Sequence, residues 1–356
     1  MGMSSRGLGA TSSRAVGASM AGSLSQEAAG RQPHAPRPHG RGPDPVAADD
    51  AACDGEPVNS PTPGHEGILV VDKPVGPTSF DVVHKLRRAM GTREIGHCGT
   101  LDPLASGVVV VCVGRYTRLV RFLTADDKRY RATVTLGCST PSFDRETAPD
   151  AFGDVAAVDA RRVLAALSVL ERQTTQVPPL HSAVQKDGER LYQKARRGEV
   201  VDVAARDVMV RALRLVGLSS RADDGRAVVD VDVDLDVGKG YFVRAFARDL
   251  GAALGCPAHL SALRRTHSGA YGLDDAVPLD VARDPTQGPP ALRRGPDAIR
   301  GLPRLALDAA AAQALRFGQR PTTTLPTVAH ALATLGDELV AVVEIVDGHL
   351  RTVRGF

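Results

Sequence analysis

The stretch Val229-Asp230-Val231-Asp232-Val233-Asp234-Leu235-Asp236-Val237 alternates apolar and acidic residues without a break. A period of two puts every branched side chain on one face and every carboxylate on the other, which a β-strand with one wet face accommodates and a helix does not. One wet face implies an antiparallel sheet, because parallel sheets are covered on both sides. The largely apolar stretch 208–218 lies before it, so the two stretches predict a hairpin.

Other local signals fill in the rest. Gly67-Ile68-Leu69-Val70-Val71-Asp72-Lys73-Pro74 predicts a buried strand stopped by proline. Thr78 or Ser79 caps a helix that reaches Met90 and ends at Gly91, with Phe80, Val83 and Leu86 on one face. Residues 117–123 predict a short amphipathic helix, 128–137 a strand with Tyr130 near its start, and 159–170 a helix. After Gly238-Lys239-Gly240, residues Phe242, Phe246, Leu250 and Leu254 recur every four positions and bury one stripe of a helix over 241–254. Arg244 lies off that stripe in the first turn, where the helix dipole disfavours a cation, so a carboxylate is expected to hold it.

Chemistry concentrates in Gly96-His97-Cys98-Gly99-Thr100-Leu101-Asp102-Pro103-Leu104-Ala105-Ser106-Gly107, a glycine-punctuated loop directly before the apolar run 108–113. Asp followed by Pro is also the ordinary opening of a type I turn, so the loop taken alone has a purely structural explanation. The β-branched run 108–113 reads as a central strand, and a side chain at the mouth of a strand is rigidly held yet reaches solvent. Asp102 is therefore the candidate catalytic residue.

A chain of 356 residues is too long for one ordinary core and predicts about two domains. Net charge is only +3, but residues 1–64 carry −1 and the remainder +4. Lys186, Arg190, Lys194, Arg196 and Arg197 gather around Leu191 and Tyr192 and outweigh Asp187, Glu189 and Glu199. Basic side chains interleaved with an aromatic suit a phosphate backbone and unstacked bases, and they equally suit a solvated helix face. Five cysteines, none closer than 14 positions to the next, give neither a zinc site nor a disulfide framework. Neither G-x-G-x-x-G nor G-x-x-x-x-G-K occurs, so no nucleotide cofactor is expected. No segment approaches the roughly 20 apolar residues of a membrane span. Residues 276–303 are rich in Pro, Gly and Arg and read as a linker, followed by a helix over 309–317 and strands over 339–345 and 350–356.

Four segments together are similar to the TruB family of tRNA pseudouridine synthases: Leu69-Val70-Val71-Asp72-Lys73-Pro74, the loop 96–107, Lys128-Arg129-Tyr130-Arg131 and Lys239-Gly240-Tyr241-Phe242-Val243-Arg244. Their order and spacing agree along residues 66–275. The resemblance implies an α+β pseudouridine synthase fold over 65–275, a mixed, mainly antiparallel sheet flanked by helices. It implies that Asp102 is the catalytic aspartate, Tyr130 the tyrosine that stacks on the target uracil, and Arg244 the arginine that pairs with Asp102. His97 then contacts the flipped nucleotides, Lys73 belongs to a motif beside the site and is assigned to the RNA-binding set, and the basic segment 178–198 closes over the tRNA T arm. Residues 304–356 resemble the family's small, β-rich, PUA-like RNA-binding domain.

The implied reaction exchanges a C1′–N1 bond for a C1′–C5 bond at uridine 55 of the T loop. Nothing is oxidised and nothing external is consumed, so no cofactor and no metal are expected. A carboxylate suits this chemistry as a nucleophile toward C1′ or the base, or as a stabiliser of cationic C1′, and the sequence leaves these open. The target base must leave its stack to be reached. The implied partner is tRNA, met by a cytoplasmic monomer with no membrane contact and no obligate protein partner. Two positions depart from the family pattern: Gln185 stands where lysine is common, beside Lys186, and Phe242 where some members have tyrosine, beside Tyr241.

Residues 1–64 are rich in Gly, Ala, Ser, Pro and Arg, lack apolar periodicity, and read as a disordered tail. Deleting them is expected to leave melting temperature and turnover unchanged, and a fall of several degrees in a thermal melt would show that the tail docks.

Overall fold

The computed structural model describes residues 65–356 except 125, 183, 187, 200, 285 and 287, and of Arg196 the backbone only; the expected tail lies outside the described residues. Strand β1 (Gly67–Lys73) stops at Pro74, which has no N–H for a ladder. Helix α1 (Ser79–Met90) starts on a reciprocal cap between Thr78 and Asp81 and ends on Gly91 at φ 63°. Its buried stripe runs through Ser79, Val82, Val83, Leu86 and Met90. Phe80, expected in that stripe, is 64% exposed, because it sits about 100° around the helix from Ser79.

Next come β2 (Ile95–His97), β3 (Ala105–Val113) and β4 (Lys128–Leu136). The helix expected over 117–123 is a 3₁₀ stretch, Gly114–Leu119, followed by one α-helical turn, Val120–Leu123. Asp159 caps α2 (Ala160–Leu170). The expected hairpin is β5 (Val210–Asp223) with β6 (Arg226–Val237), and the helix after it is α3 (Val243–Leu254). Strands β7 (Ala258–Ser268) and β8 (Val277–Pro278) follow. The C-terminal elements are β9 (Arg304–Ala306), α4 (Ala309–Arg316), β10 (Val328–Leu335), β11 (Glu338–Val346) and β12 (His349–Gly355). Neither β7 nor β10 is anticipated by the sequence reading.

The main sheet has nine strands, with β5, β6, β4, β7, β3, β1 and β8 side by side, β2 added on β3, and the short strand Tyr271–Gly272 on β7. Its pairings are antiparallel except β3 with β7 and β1 with β8, so the α+β, mainly antiparallel architecture is present. One face packs Leu69, Val71, Val109 and Val111 with α1, α2 and α3 in a single core that includes Val83, Leu167 and Phe246. The opposite faces of β1 and β3 pack Ile68, Val70, Val108 and Val110 against Leu332, Leu339 and Val342 of the C-terminal sheet. Burial on both faces is why β3 is apolar from Gly107 to Val113, whereas β6 alternates because its carboxylate face stays wet.

The compositional linker 276–303 is docked rather than free. Arg293 exchanges two 2.9 Å backbone hydrogen bonds with Ile68, and Tyr271 donates its hydroxyl to the Ala298 carbonyl at 2.8 Å. Its Pro and Gly content reflects tight turns packed against β1. Among the described residues no helix is long and apolar enough to cross a membrane.

Phe246 is fully buried between α3 and the sheet. Phe246→Ala is expected to cost about 3–5 kcal/mol in urea unfolding, while Phe80→Ala should change stability by no more than about 0.5 kcal/mol.

Candidate active site

The Asp102 loop is fastened on both sides. Ser79, at the start of α1, accepts the Leu101 N–H at 2.7 Å and donates to the Leu101 carbonyl at 3.2 Å. Gly76 N–H donates to the Pro103 carbonyl at 2.8 Å, and Ala105 N–H to the Asp102 carbonyl at 3.1 Å. The second of these closes the turn that Asp-Pro favours. The turn and the site are therefore the same feature: the local bonds use Asp102's backbone and leave its carboxylate to face α3.

There Arg244 Nε lies 3.0 Å from Asp102 Oδ2 and 3.6 Å from Asp144 Oδ2, and Arg244 Nη1 donates to the Ser142 carbonyl at 3.3 Å. Arg244 is buried at the start of α3, where the helix dipole opposes it, and two carboxylates compensate. The guanidinium does not grip Asp102 alone with its fork, because Asp144 competes for the same nitrogen. Asp144 is buried and is itself positioned by Ser142 Oγ at 2.6 Å and Glu146 N–H at 2.9 Å. Asp102 keeps 34% of its side chain exposed. Burial, and then the charges of Asp144 and Asp102, push the nearby Glu146 carboxyl above its usual range.

Tyr130 is half-buried against the helix-covered core, on the same side of the sheet as Arg244. Its neighbours Arg129 and Arg131 point the other way and pair with Asp236 and Asp234 at 3.1 and 2.8 Å. His97, at the end of β2, is half-buried, and burial and then the charge of Arg265 lower its pKa, so the ring is neutral at pH 7.

Lys73 is not a surface contact. It is fully buried and donates to the carbonyls of Pro74 and Pro77 at 3.0 and 2.7 Å. The ammonium pins the 74–77 turn, whose Gly76 in turn supports Pro103. In the basic segment, Gln185–Lys186 and Glu189–Arg190 form a small antiparallel hairpin with Lys186 and Arg190 exposed. Lys186 Nζ donates to the Asp202 carbonyl at 2.5 Å, and Lys194 is half-buried. Arg197 is already paired with Glu189 at 2.5 Å and Glu199 at 2.6 Å, which removes it from the open cations. The side chain of Arg196 lies outside the described residues.

The sequence reading missed Asp144 and Arg265. Asp144 sits in an irregular loop with no periodicity to mark it, and the Arg264-Arg265 pair in β7 resembles surface charge until its burial is known. Among the described residues no group of three His, Cys, Asp or Glu is arranged to hold a metal.

The fold is that of the pseudouridine synthases: it superposes on a crystal structure of a Cbf5–Nop10–Gar1 complex with TM-score 0.59 and 23% identity, over 81% of this chain and 84% of that one. Residues 87–243 match the TruB family pseudouridylate synthase N-terminal domain, and 244–284 the tRNA pseudouridylate synthase B C-terminal domain. The chain is 40% identical over 313 residues to tRNA pseudouridine synthase B of Deinococcus radiodurans, covering 81% of this chain and 99% of that protein. It is likewise 40% identical over 289 residues to tRNA pseudouridine synthase B of Corynebacterium efficiens, covering 81% and 95%. The chain belongs to the TruB family of pseudouridine synthases and is an isomerase.

Burial pushes the Lys73 ammonium down to about 8 from its ordinary 10.5, against the attraction of Asp102. Between those values the unfolded chain binds a proton that the folded chain has lost, so this group's contribution to stability is complete above about 10.5 and is lost as pH falls to about 8. The stability difference between wild type and Lys73→Met, from urea melts, should therefore grow with pH across this window, by up to about 1.4 kcal/mol per unit. A pH-independent difference would show that Lys73 is not desolvated.

Proposed function

We propose that the protein converts uridine 55 in the T loop of tRNA to pseudouridine, with Asp102 as the catalytic carboxylate. The names of the relatives that it matches along nearly their whole length support tRNA as the substrate. The observation that carries the reading is the Asp102 carboxylate itself, partly exposed, 3.0 Å from a buried arginine, in a loop whose backbone is bonded on both sides.

In this reading the T arm docks on phosphate contacts, and the target nucleotide swings out of its stack. Tyr130 offers an aromatic face to the extruded uracil, and neutral His97 lies against the neighbouring nucleotides without adding charge. Asp102 acts on C1′ or on the base while the C1′–N1 bond breaks. The uracil turns within the closed site, C5 bonds to C1′, the C5 proton is lost, and N1 gains a proton. Arg244 keeps the carboxylate oriented, with Asp144 holding Arg244 from the far side. Lys186 and Arg190 on the exposed hairpin approach the T-arm backbone. The chain acts alone, in the cytoplasm.

Asp102→Asn is expected to abolish pseudouridine formation on a tRNA transcript while leaving binding nearly intact, since affinity arises from phosphate and stacking contacts. Turnover near wild type would remove Asp102 from its role. Arg244→Lys keeps the charge but cannot reach Asp102, Asp144 and the Ser142 carbonyl together. It should lower the single-turnover rate at least tenfold, about 1.4 kcal/mol of barrier, with tRNA affinity unchanged. A normal rate combined with weaker, less salt-sensitive binding would instead make Arg244 a phosphate contact.

A further inference from the structure

Arg265 lies on β7 and is 1% exposed, and among the described residues it forms no ion pair. Its guanidinium donates to three backbone carbonyls: Nε to Val108 at 2.7 Å, Nη1 to Thr100 at 3.1 Å and Nη2 to Gly99 at 3.2 Å. Burying a guanidinium without a carboxylate is costly, so the carbonyls it satisfies matter. They bracket Asp102, two just before it and one after it.

The bonds fall where the strand ladder ends. Cys98 N–H donates to the Val110 carbonyl at 2.8 Å as the last rung beyond β2, and from Gly99 the chain leaves β3 to form the loop. The guanidinium fills the fork between the departing chain and β3, which fixes the angle at which the loop leaves. A planar group with several donors suits three fixed acceptors, and an ammonium on a flexible stem does not. Arg265 is also the register partner of Tyr130 on β4 and of Gly107 on β3. One residue therefore touches both the strand that carries the tyrosine and the loop that carries the aspartate. At Gly107 a Cβ would overlap the Arg265 backbone, so the close approach is built into the sequence.

We propose that Arg265 is a positioning residue of the catalytic centre, setting Asp102 relative to Tyr130 and Arg244 through three carbonyl bonds. The proposal rests on the reading of Asp102 as the catalytic carboxylate. Its test is single-turnover pseudouridine formation by Arg265→Lys on a tRNA transcript, with the folded fraction from circular dichroism and tRNA affinity from filter binding. The expected result is a folded protein that binds tRNA within about twofold of wild type and reacts at least twentyfold more slowly, because placement governs the chemical step rather than docking. Arg265→Gln, which retains a donor without a buried charge, should show the same split and serves if the Lys variant does not fold.

A rate within threefold of wild type overturns the proposal. So does a loss that equals the unfolded fraction or is confined to affinity. Failure of both variants to fold makes Arg265 a core strut and overturns it as well. Asp102→Asn in the same assay keeps the two readings apart. If it is active, the proposed function fails; if it is inactive beside a fully active Arg265→Lys, only the positioning role fails.

Discussion

The molecule depends on a parallel joint three residues long, where Ala105, Ser106 and Gly107 of β3 meet Leu263, Arg264 and Arg265 of β7. A parallel pair needs a long crossover, and here everything from residue 114 to residue 257 lies between the two strands. The joint fuses two antiparallel groups, β1–β2–β3 on one side and β4–β5–β6–β7 on the other. Asp102 is carried by the first group, whereas Tyr130 and Arg244 are carried by the second or its crossover helix. The candidate site therefore exists only because the strands close at Gly107, which has φ 107° and no side chain to keep the Arg265 backbone away.

Electrostatics around the joint follow one pattern. Lys73, Lys128 and Arg265 are buried, and their head groups meet backbone carbonyls rather than carboxylates. Desolvation lowers the pKa of Lys73 and of Lys128, as expected for cations held this way. Among the described residues, Arg244 alone of these buried cations meets acids, and it meets two. Asp144 is sealed off and fixed by its own loop, so the balance of that triad leaves Asp102 as the carboxylate with access to solvent. Removing one partner from such a buried set typically costs about 3–5 kcal/mol, which explains why it is built with a redundant acid.

Legibility in the sequence tracked how purely each segment served one environment. β6 and β3 were readable because one has a single wet face and the other has none, and α1 because its caps use local chemistry. The pairing of Arg244 with a carboxylate was readable from a helix dipole set against a cation. β7 was not readable: Arg264 reaches Asp72 and Arg265 reaches carbonyls, so its polar residues have partners far away in sequence that no periodicity reveals. The burial of Lys73 was not readable either, because nothing local shows that two proline carbonyls wrap its head. Asp144 lies in a loop whose value comes only from what α3 brings against it.

The alternating acids of β6 also bear on where a nucleic acid can bind. Across the strands Asp236 meets Arg129, Asp234 meets Arg131, and Asp232 and Asp230 accept from Thr133 and Thr135 at 2.6 Å; Asp230 also pairs with Arg221. Opposite charges set directly across a pair of strands stabilise the sheet and cancel its outward field. The arginines of β4 that flank Tyr130 in sequence are thus committed to the sheet. Attraction for phosphate, in the proposed function, falls instead to cations outside this face, such as Lys186 and Arg190 on the exposed hairpin. A net charge of only +3 is compatible with an RNA enzyme on these terms, because local placement of charge steers a polyanion more than the total does.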